Sequence, residues 1–368
     1  MILPCVGFVL CSSVRHPIPS TRIAVLNMLP YLQAAAWQTR ILFEAPEPNE
    51  MPDLSGVAEH AVAAGCKVVV LQKVKGAGAV ALVQQLRAAG IGTVYLVCDL
   101  VDVPMATVTD ATVVVTDYLK SLYPLALQDR IYAVHDGIER PHEFKRYSNN
   151  DGSANSGALQ TVLVTSGALT GMPVLDHLPP WLRVRIVGRY ASGLKRWREW
   201  YWRWCAQRPE ARLAYLRFLA DRRITCVQWH PDGVYLEMKQ ADVGIIPIDT
   251  GNALTGSGPP PSWKVKSENR LTMKMSTGLP VIATPIPSYE PIIEHGVNGF
   301  FASSARDWQS CLSALRDPAR RREMGQAARA SVAEKYSMYA QAAKLLTVLH
   351  TVCDSSNHIP ESRNIAHW

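Results

Sequence analysis

At 368 residues the chain is two to three times as long as a usual domain of roughly 100–200 residues, which excludes a single small module. A hydrophobic share of 48% with only 19% charged residues, 10 Trp and 13 Tyr excludes a disordered or fibrous chain. Lys and Arg outnumber Asp and Glu by 38 to 31, and residues 195–223 hold nine basic residues against three acidic ones. The rest of the chain is nearly neutral, which speaks against a nucleic-acid-coating protein and for one basic patch meeting anionic lipid, phosphate or a partner.

The apolar opening Met1–Val14 is closed by Arg15 and has no basic stretch ahead of it, so it reads as a buried strand rather than a signal peptide. Strands are then predicted at Cys5–Cys11, Thr39–Glu44, Lys67–Gln72, Thr93–Cys98, Ala111–Thr116 and Arg130–His135, each a short β-branched or apolar run. Helical periodicity falls between them at Ile23–Ala36, Ser55–Ala64 and Ala79–Ala89. Such alternation is the signature of βαβ units and a parallel sheet covered on both faces.

After His135 the pattern stops at Asp136-Gly137-Ile138 and passes into the polar run Tyr147–Gly157, which suits an exposed connection. The expected domains are 1–150 and 151–338, with 339–368 as a helix returning to the first domain and a frayed tail. Strands restart at Gln160–Thr165, Arg183–Val187, Ile224–Gln228, Val243–Pro247 and Pro280–Thr284. From Trp308 to about Val352 the chain is helical, with Asp317-Pro318 as a restart. The uncharged run Gly152–Leu175 is rich in Ser, Gly, Asn and Thr and falls short of the ~20 apolar residues of a spanning helix. Eight scattered cysteines without a C-x-x-C pair read as reduced thiols in a cytoplasmic protein.

The richest segment runs from Trp263 to Thr284. A basic loop, Lys264-Val-Lys266-Ser267-Glu268-Asn269-Arg270, enters a helix that ends at Gly278, and a buried strand follows. A helix start with its N–H groups and an Arg fork favours an anionic ligand. Asn269-Arg270, the Met275-Ser-Thr-Gly-Leu-Pro-Val-Ile-Ala-Thr284 run, the Ile292-Ile-Glu-His-Gly-Val-Asn-Gly-Phe300 run and the Ala/Arg-rich helices after Trp308 together resemble the donor-binding half of retaining GT-B glycosyltransferases. The resemblance extends from about Ile224 to Tyr336, and His135-Asp136-Gly137-Ile138-Glu139 is similar to the family's first-domain close. It implies two Rossmann-like doubly wound α/β domains facing a cleft, a nucleotide diphosphate sugar as donor, no separate cofactor and no metal. It also implies a role in cell-surface polysaccharide, glycolipid or glycoconjugate synthesis.

By the same resemblance Asn269-Arg270 stand at the donor diphosphate. The family's Glu-x(7)-Glu pair is replaced by Val265 and Met273, leaving Glu268 or Asp249 to hold the ribose, with Lys266 and Ser267 in the same variant motif. Ser288, Tyr289 and Glu290 follow the next strand, near where relatives meet the donor sugar. Ser166-Gly167 are candidate phosphate donors or a plain βα turn, and Trp229-His230 are candidate nucleobase contacts or interface residues. In the first domain His16, in the loop after the first strand, and Asp99, at the end of the fourth, are candidates for the catalytic side with Arg270 and Glu290; Asp102 is a sugar contact or a helix cap. The chain has no Asp-x-Asp pair, so no metal site is expected.

The run Lys195–Trp204 places Trp197, Trp200, Tyr201 and Trp204 at helical spacing. It reads either as an interfacial helix on anionic membrane, aromatic side down, or as aromatics packed into the domain. The activity classes weighed are a glycosyltransferase, a nucleotide-sugar epimerase or hydrolase on the same fold, and a non-catalytic nucleotide-sugar binder. The partners expected are a nucleotide-sugar donor and a glycan, lipid-linked or small-molecule acceptor, with no nucleic acid.

Overall fold

The computed structural model describes residues 3–147, 157–175, 178–250 and 260–356. Its contacts divide the chain into two compact units. One holds the described residues of Met1–Glu139, Val265–Ser267 and Tyr336–Trp368, and the other those of Arg140–Lys264 and Glu268–Lys335. The division falls after Glu139, ahead of the polar connection; residues 148–156 of that connection lie outside the described residues.

In the first unit β1 (Cys5–Leu10), β2 (Gln38–Glu44), β3 (Cys66–Gln72), β4 (Gly92–Val97), β5 (Ala111–Val114) and β6 (Ile131–Ala133) form a parallel sheet in the order β2-β1-β3-β4-β5-β6. The interior strands β1, β4 and β5 are buried at every residue, as near-continuous apolar runs must be when both sheet faces are covered. Edge strand β2 has no fully buried residue. The expected helix Ile23–Ala36 is instead three pieces: Pro19–Thr21, a π-helical turn Arg22–Leu26, and Leu29–Ala34. Pro30 explains the break, since it has no N–H for a continuing ladder and is suited to a first turn. The Arg22 guanidinium donates to Glu139 Oε1 and Oε2 at 2.8 and 3.1 Å, and Asn27 Nδ2 adds a bond of 2.8 Å to Oε1. The final helix Met338–Ser356 packs on β3, β4 and Leu29–Ala34. A Cβ on Gly137 would meet Met338 Sδ at 2.7 Å, so that position admits only glycine without a shift of the helix.

The second unit contains β7 (Leu159–Val164), β8 (Leu182–Gly188), β9 (Ile224–Gln228), β10 (Val243–Ile246), β11 (Val281–Ala283) and β12 (Phe300–Phe301), also parallel, in the order β12-β11-β10-β7-β8-β9. The chain builds outward from β7 to β9, crosses back to place β10 beside β7, and then builds the other way. That reversal is a topological switch point, where the carboxyl ends of the strands leave a crevice for a ligand. Two-residue β12 was not anticipated, being too short to carry a pattern.

The helix Lys195–Ala206 forms where the aromatic run predicts it, but its aromatics do not share one face. Trp200 and Trp204 are half-buried under Arg196 and Arg212, whose guanidinium carbons lie 4.4 and 4.9 Å from the ring centres. Trp197, Tyr201 and Trp202 are exposed. Among the described residues no helix is long and apolar enough to cross a membrane.

Candidate functional site

β10 lies beside β7 with Gly244 opposite Val162. The chain leaves β7 through Thr165-Ser166-Gly167; beyond β10 it reaches the helix Asn269–Ser276, whose first turn carries Arg270. The Arg270 guanidinium donates to Ser166 Oγ at 2.9 Å, at a solvent-facing position. Two candidates 104 residues apart are thus joined across the switch point. A guanidinium has five N–H donors, and one bond to a hydroxyl leaves the fork able to take phosphate oxygens.

The helix itself explains why Arg270 sits there. Glu268 makes no side-chain cap at its start, and Leu271 N–H donates to Glu268 O at 2.8 Å, so an anion there would be favoured by the positive dipole end and the N–H groups of Asn269 and Arg270. Its other end is closed by Gly278 at φ +81, with Gly278 N–H donating to Met275 O at 2.9 Å and Leu279 N–H to Lys274 O at 3.2 Å. This is a Schellman close, which a residue with a Cβ would strain. From Leu271 to Ser276 every residue is buried, so the helix is held as a rigid wedge between β10, β11 and the helix Pro318–Ala333.

Lys274 is fully buried in that wedge. Its Nζ donates to Arg270 O at 3.2 Å, and its stem lies over β10 where a Cβ on Gly244 would come within 2.7 Å of Cδ. Burial, and then the Arg270 charge, pull its ammonium down to about 7. A buried charge with so few partners is costly.

Around Arg270 the strand-end loops are laced together. Gly188 lies so close to the loop after β7 that a Cβ would meet Gly167 O at 2.3 Å. Arg189 N–H donates to Gly167 O at 3.2 Å, and Trp229 N–H to Gly188 O at 2.7 Å. At the ends of β8 and β9 lies an open recess of about 280 Å³ lined by Gly188, Arg189, Tyr190, Ala191, Gln228 and Trp229. His230 is exposed beside it, its Nδ1 accepting from Asp232 N–H at 3.2 Å. On the other side of the switch point Thr284 joins the ends of β10 and β11, its Oγ1 accepting from Ile248 N–H at 3.0 Å. Asp249 follows Ile248 and is exposed. Beyond Thr284, Ser288 is buried, its Oγ without a hydrogen-bond partner among the described residues. Burial pushes the Tyr289 phenol up, with Arg270 pulling down and Glu268 pushing up, so these three side chains lie within electrostatic reach of one another. Glu268 is itself buried and Glu290 is exposed.

Lys266 and Ser267 directly precede Glu268 and are half-buried; by contacts Val265–Ser267 counts with the first unit, Val265 being buried in that unit's apolar core. Asp99 and His16 also belong to the first unit. Asp99 pairs with Lys73 at 2.8 Å, and Lys73 reaches Glu50 at 3.2 Å. Burial lowers the Lys73 ammonium, but Asp99 first, and then Cys98 and Glu50, together more than offset this and hold it above the ordinary lysine range. His16 is exposed on the bend after β1. Asp102 caps the helix Val103–Val108, accepting from Met105 N–H at 3.0 Å. Sequence reading missed Lys73 and Lys274. The available signal for Lys73 was a lysine closing an apolar strand at the sheet's carboxyl edge, where its backbone takes φ +57. Among the described residues no group of three or more His, Cys, Asp and Glu is placed to hold a metal ion.

Residues 172–347 match the family model described as glycosyl transferase-like. The fold is that of GT-B glycosyltransferases. A glycosyltransferase from Rickettsia africae ESF-5 aligns over 95% of this chain and 98% of its own at 12% identity, with a TM-score of 0.68. HepE from Anabaena, in complex with UDP, aligns over 95% and 100% at 12% identity, with a TM-score of 0.63. Sucrose-phosphate synthase from Thermosynechococcus elongatus aligns over 96% and 100% at 14% identity, with a TM-score of 0.65. No curated protein matches the chain in sequence.

Proposed function

We propose that the protein moves a sugar from a nucleotide diphosphate donor to an acceptor, with the donor held in the switch-point crevice of the second unit. The observation that carries this reading is the bond from Arg270 to Ser166 Oγ at the start of the helix Asn269–Ser276. In this reading the diphosphate takes up the Arg270 fork and the helix N–H groups. The nucleobase enters the recess beside Trp229, Ser288 and Tyr289 line the sugar side, and Asp249 or Glu268 serves the ribose. As the glycosidic bond breaks, negative charge grows on the departing diphosphate, and Arg270 with the helix dipole stabilises it without reorganising. Transfer would run without a separate cofactor or metal and with retention of configuration. HepE has been solved with UDP-glucose, which supports a nucleoside diphosphate sugar here. A cytoplasmic enzyme making cell-surface polysaccharide, glycolipid or glycoconjugate, attached peripherally to the membrane, fits the same reading.

Met273 and Val265 are apolar core residues where the resembled family has its Glu pair, and that observation favours one second reading: a binder of nucleotide sugars without turnover. A thermal-shift panel of nucleotide sugars, followed by release of nucleoside diphosphate with and without glycan and lipid-linked acceptors, separates the readings. Acceptor-dependent release supports transfer. Conversion or hydrolysis of the donor without acceptor would replace transfer with an epimerase or hydrolase, and binding without release would leave a binder.

A further inference from the structure

The helix Lys195–Ala206 carries four Trp and a Tyr, yet none of its residues is fully buried. Trp197, Tyr201 and Trp202 are 69%, 61% and 65% exposed, and Leu194 just ahead of them is 90% exposed. Trp197 and Tyr201 are four residues apart and so share a side of the helix. The Tyr201 and Trp202 ring centres lie 6.1 Å apart, so the three rings form one patch. Large exposed apolar surface of this kind marks an interaction face.

The charge around the patch identifies its occupant. Lys195 and Arg198 are exposed on the same helix. The helix's one acid, Glu199, is turned away from them: it accepts from Ala191 N–H at 2.6 Å and from Arg203 Nε at 3.1 Å, so its charge is spent inward and the outward face is cationic. Aromatic rings with polar edges settle at headgroup depth, and long cationic side chains lay their stems along apolar surface while holding their charge in the polar layer.

We propose that the Leu194–Trp202 face docks on an anionic lipid surface, with Trp197, Tyr201 and Trp202 entering the headgroup layer and Lys195 and Arg198 meeting lipid phosphates. This attachment is independent of the donor site and would hold the second unit where membrane-borne acceptors lie.

The test is co-sedimentation of the full chain with phosphatidylcholine vesicles, with and without a one-third share of phosphatidylglycerol, over a salt series. Binding is expected only with the anionic lipid, and it should weaken as salt rises. Each cationic side chain near such a surface is worth about fivefold in binding, so the two-charge change in Arg198→Glu should weaken it about 25-fold. A Trp197→Ser, Trp202→Ser double variant should lose binding while keeping wild-type melting and UDP affinity, since both rings are exposed. Absence of binding to anionic vesicles, or equal binding by the variants, overturns the proposal. So does a concentration-dependent dimer that the double variant dissolves while vesicles capture nothing. UDP affinity, measured on the same preparations, reports on the donor-site reading separately.

Discussion

Arg270→Ala removes the guanidinium that bridges the switch point. In the free protein its loss costs a single solvent-facing bond to Ser166 Oγ, worth less than about 1 kcal/mol of fold stability. If the donor binds as proposed, the same side chain would make a charge-assisted bond to phosphate, worth about 1.5–3 kcal/mol. UDP binding should therefore weaken roughly 10- to 150-fold while the melting temperature hardly moves. Arg270→Lys keeps the charge and loses the fork, so its affinity should fall between the two. Isothermal calorimetry with UDP at fixed pH and ionic strength measures this, with thermal melts of each variant alongside. If Arg270→Ala binds UDP within about twofold of wild type, well short of the loss of a charge-assisted bond, the diphosphate lies elsewhere than at the switch point.

Three further outcomes are expected. Lys274 binds its proton less tightly folded than unfolded, about 7 against an ordinary 10.5, so its burial penalty is full below pH 7 and is relieved as pH rises towards 10.5; Lys274→Met, which keeps the stem over Gly244, should raise the melting temperature most at or below pH 7, and a gain constant across that range would contradict the assignment. Gly188→Ala drives a Cβ to within 2.3 Å of Gly167 O, an overpacking of about 1–3 kcal/mol, and should weaken UDP binding together with stability; wild-type urea denaturation would show that the loops are not held as described. Asp99→Ala leaves the buried Lys73 ammonium with only Glu50; since Asp99 is itself more than half exposed, a loss of about 1–2 kcal/mol is expected by urea denaturation, and no change would mark the pair as solvent-screened.

The succession of elements is written locally. A parallel strand covered on both faces must be a run of apolar residues, so Cys5–Leu10, Cys66–Gln72 and Leu159–Val164 announce themselves, and a helix closing on Gly278 follows from the one residue that takes a positive φ without strain. The break at Pro30 was also in the sequence as a residue without an N–H, although periodicity alone ran the helix through it. What pairs with what was not legible. Strand order is set by which edges hydrogen-bond, a choice made by packing over distances no local pattern spans, and only that order puts β10 beside β7 and brings Arg270 to Ser166. Helical spacing likewise grouped Trp197, Trp200, Tyr201 and Trp204, whereas the surface that receives the helix took Trp200 and Trp204 inward and left Trp202 with the exposed rings. Nor does local pattern reveal that Val265, next to the basic loop, finds its apolar contacts in the core of the first unit. Local sequence sets the backbone's preference residue by residue, whereas a side chain's partner depends on desolvation and close packing against segments far away in the chain.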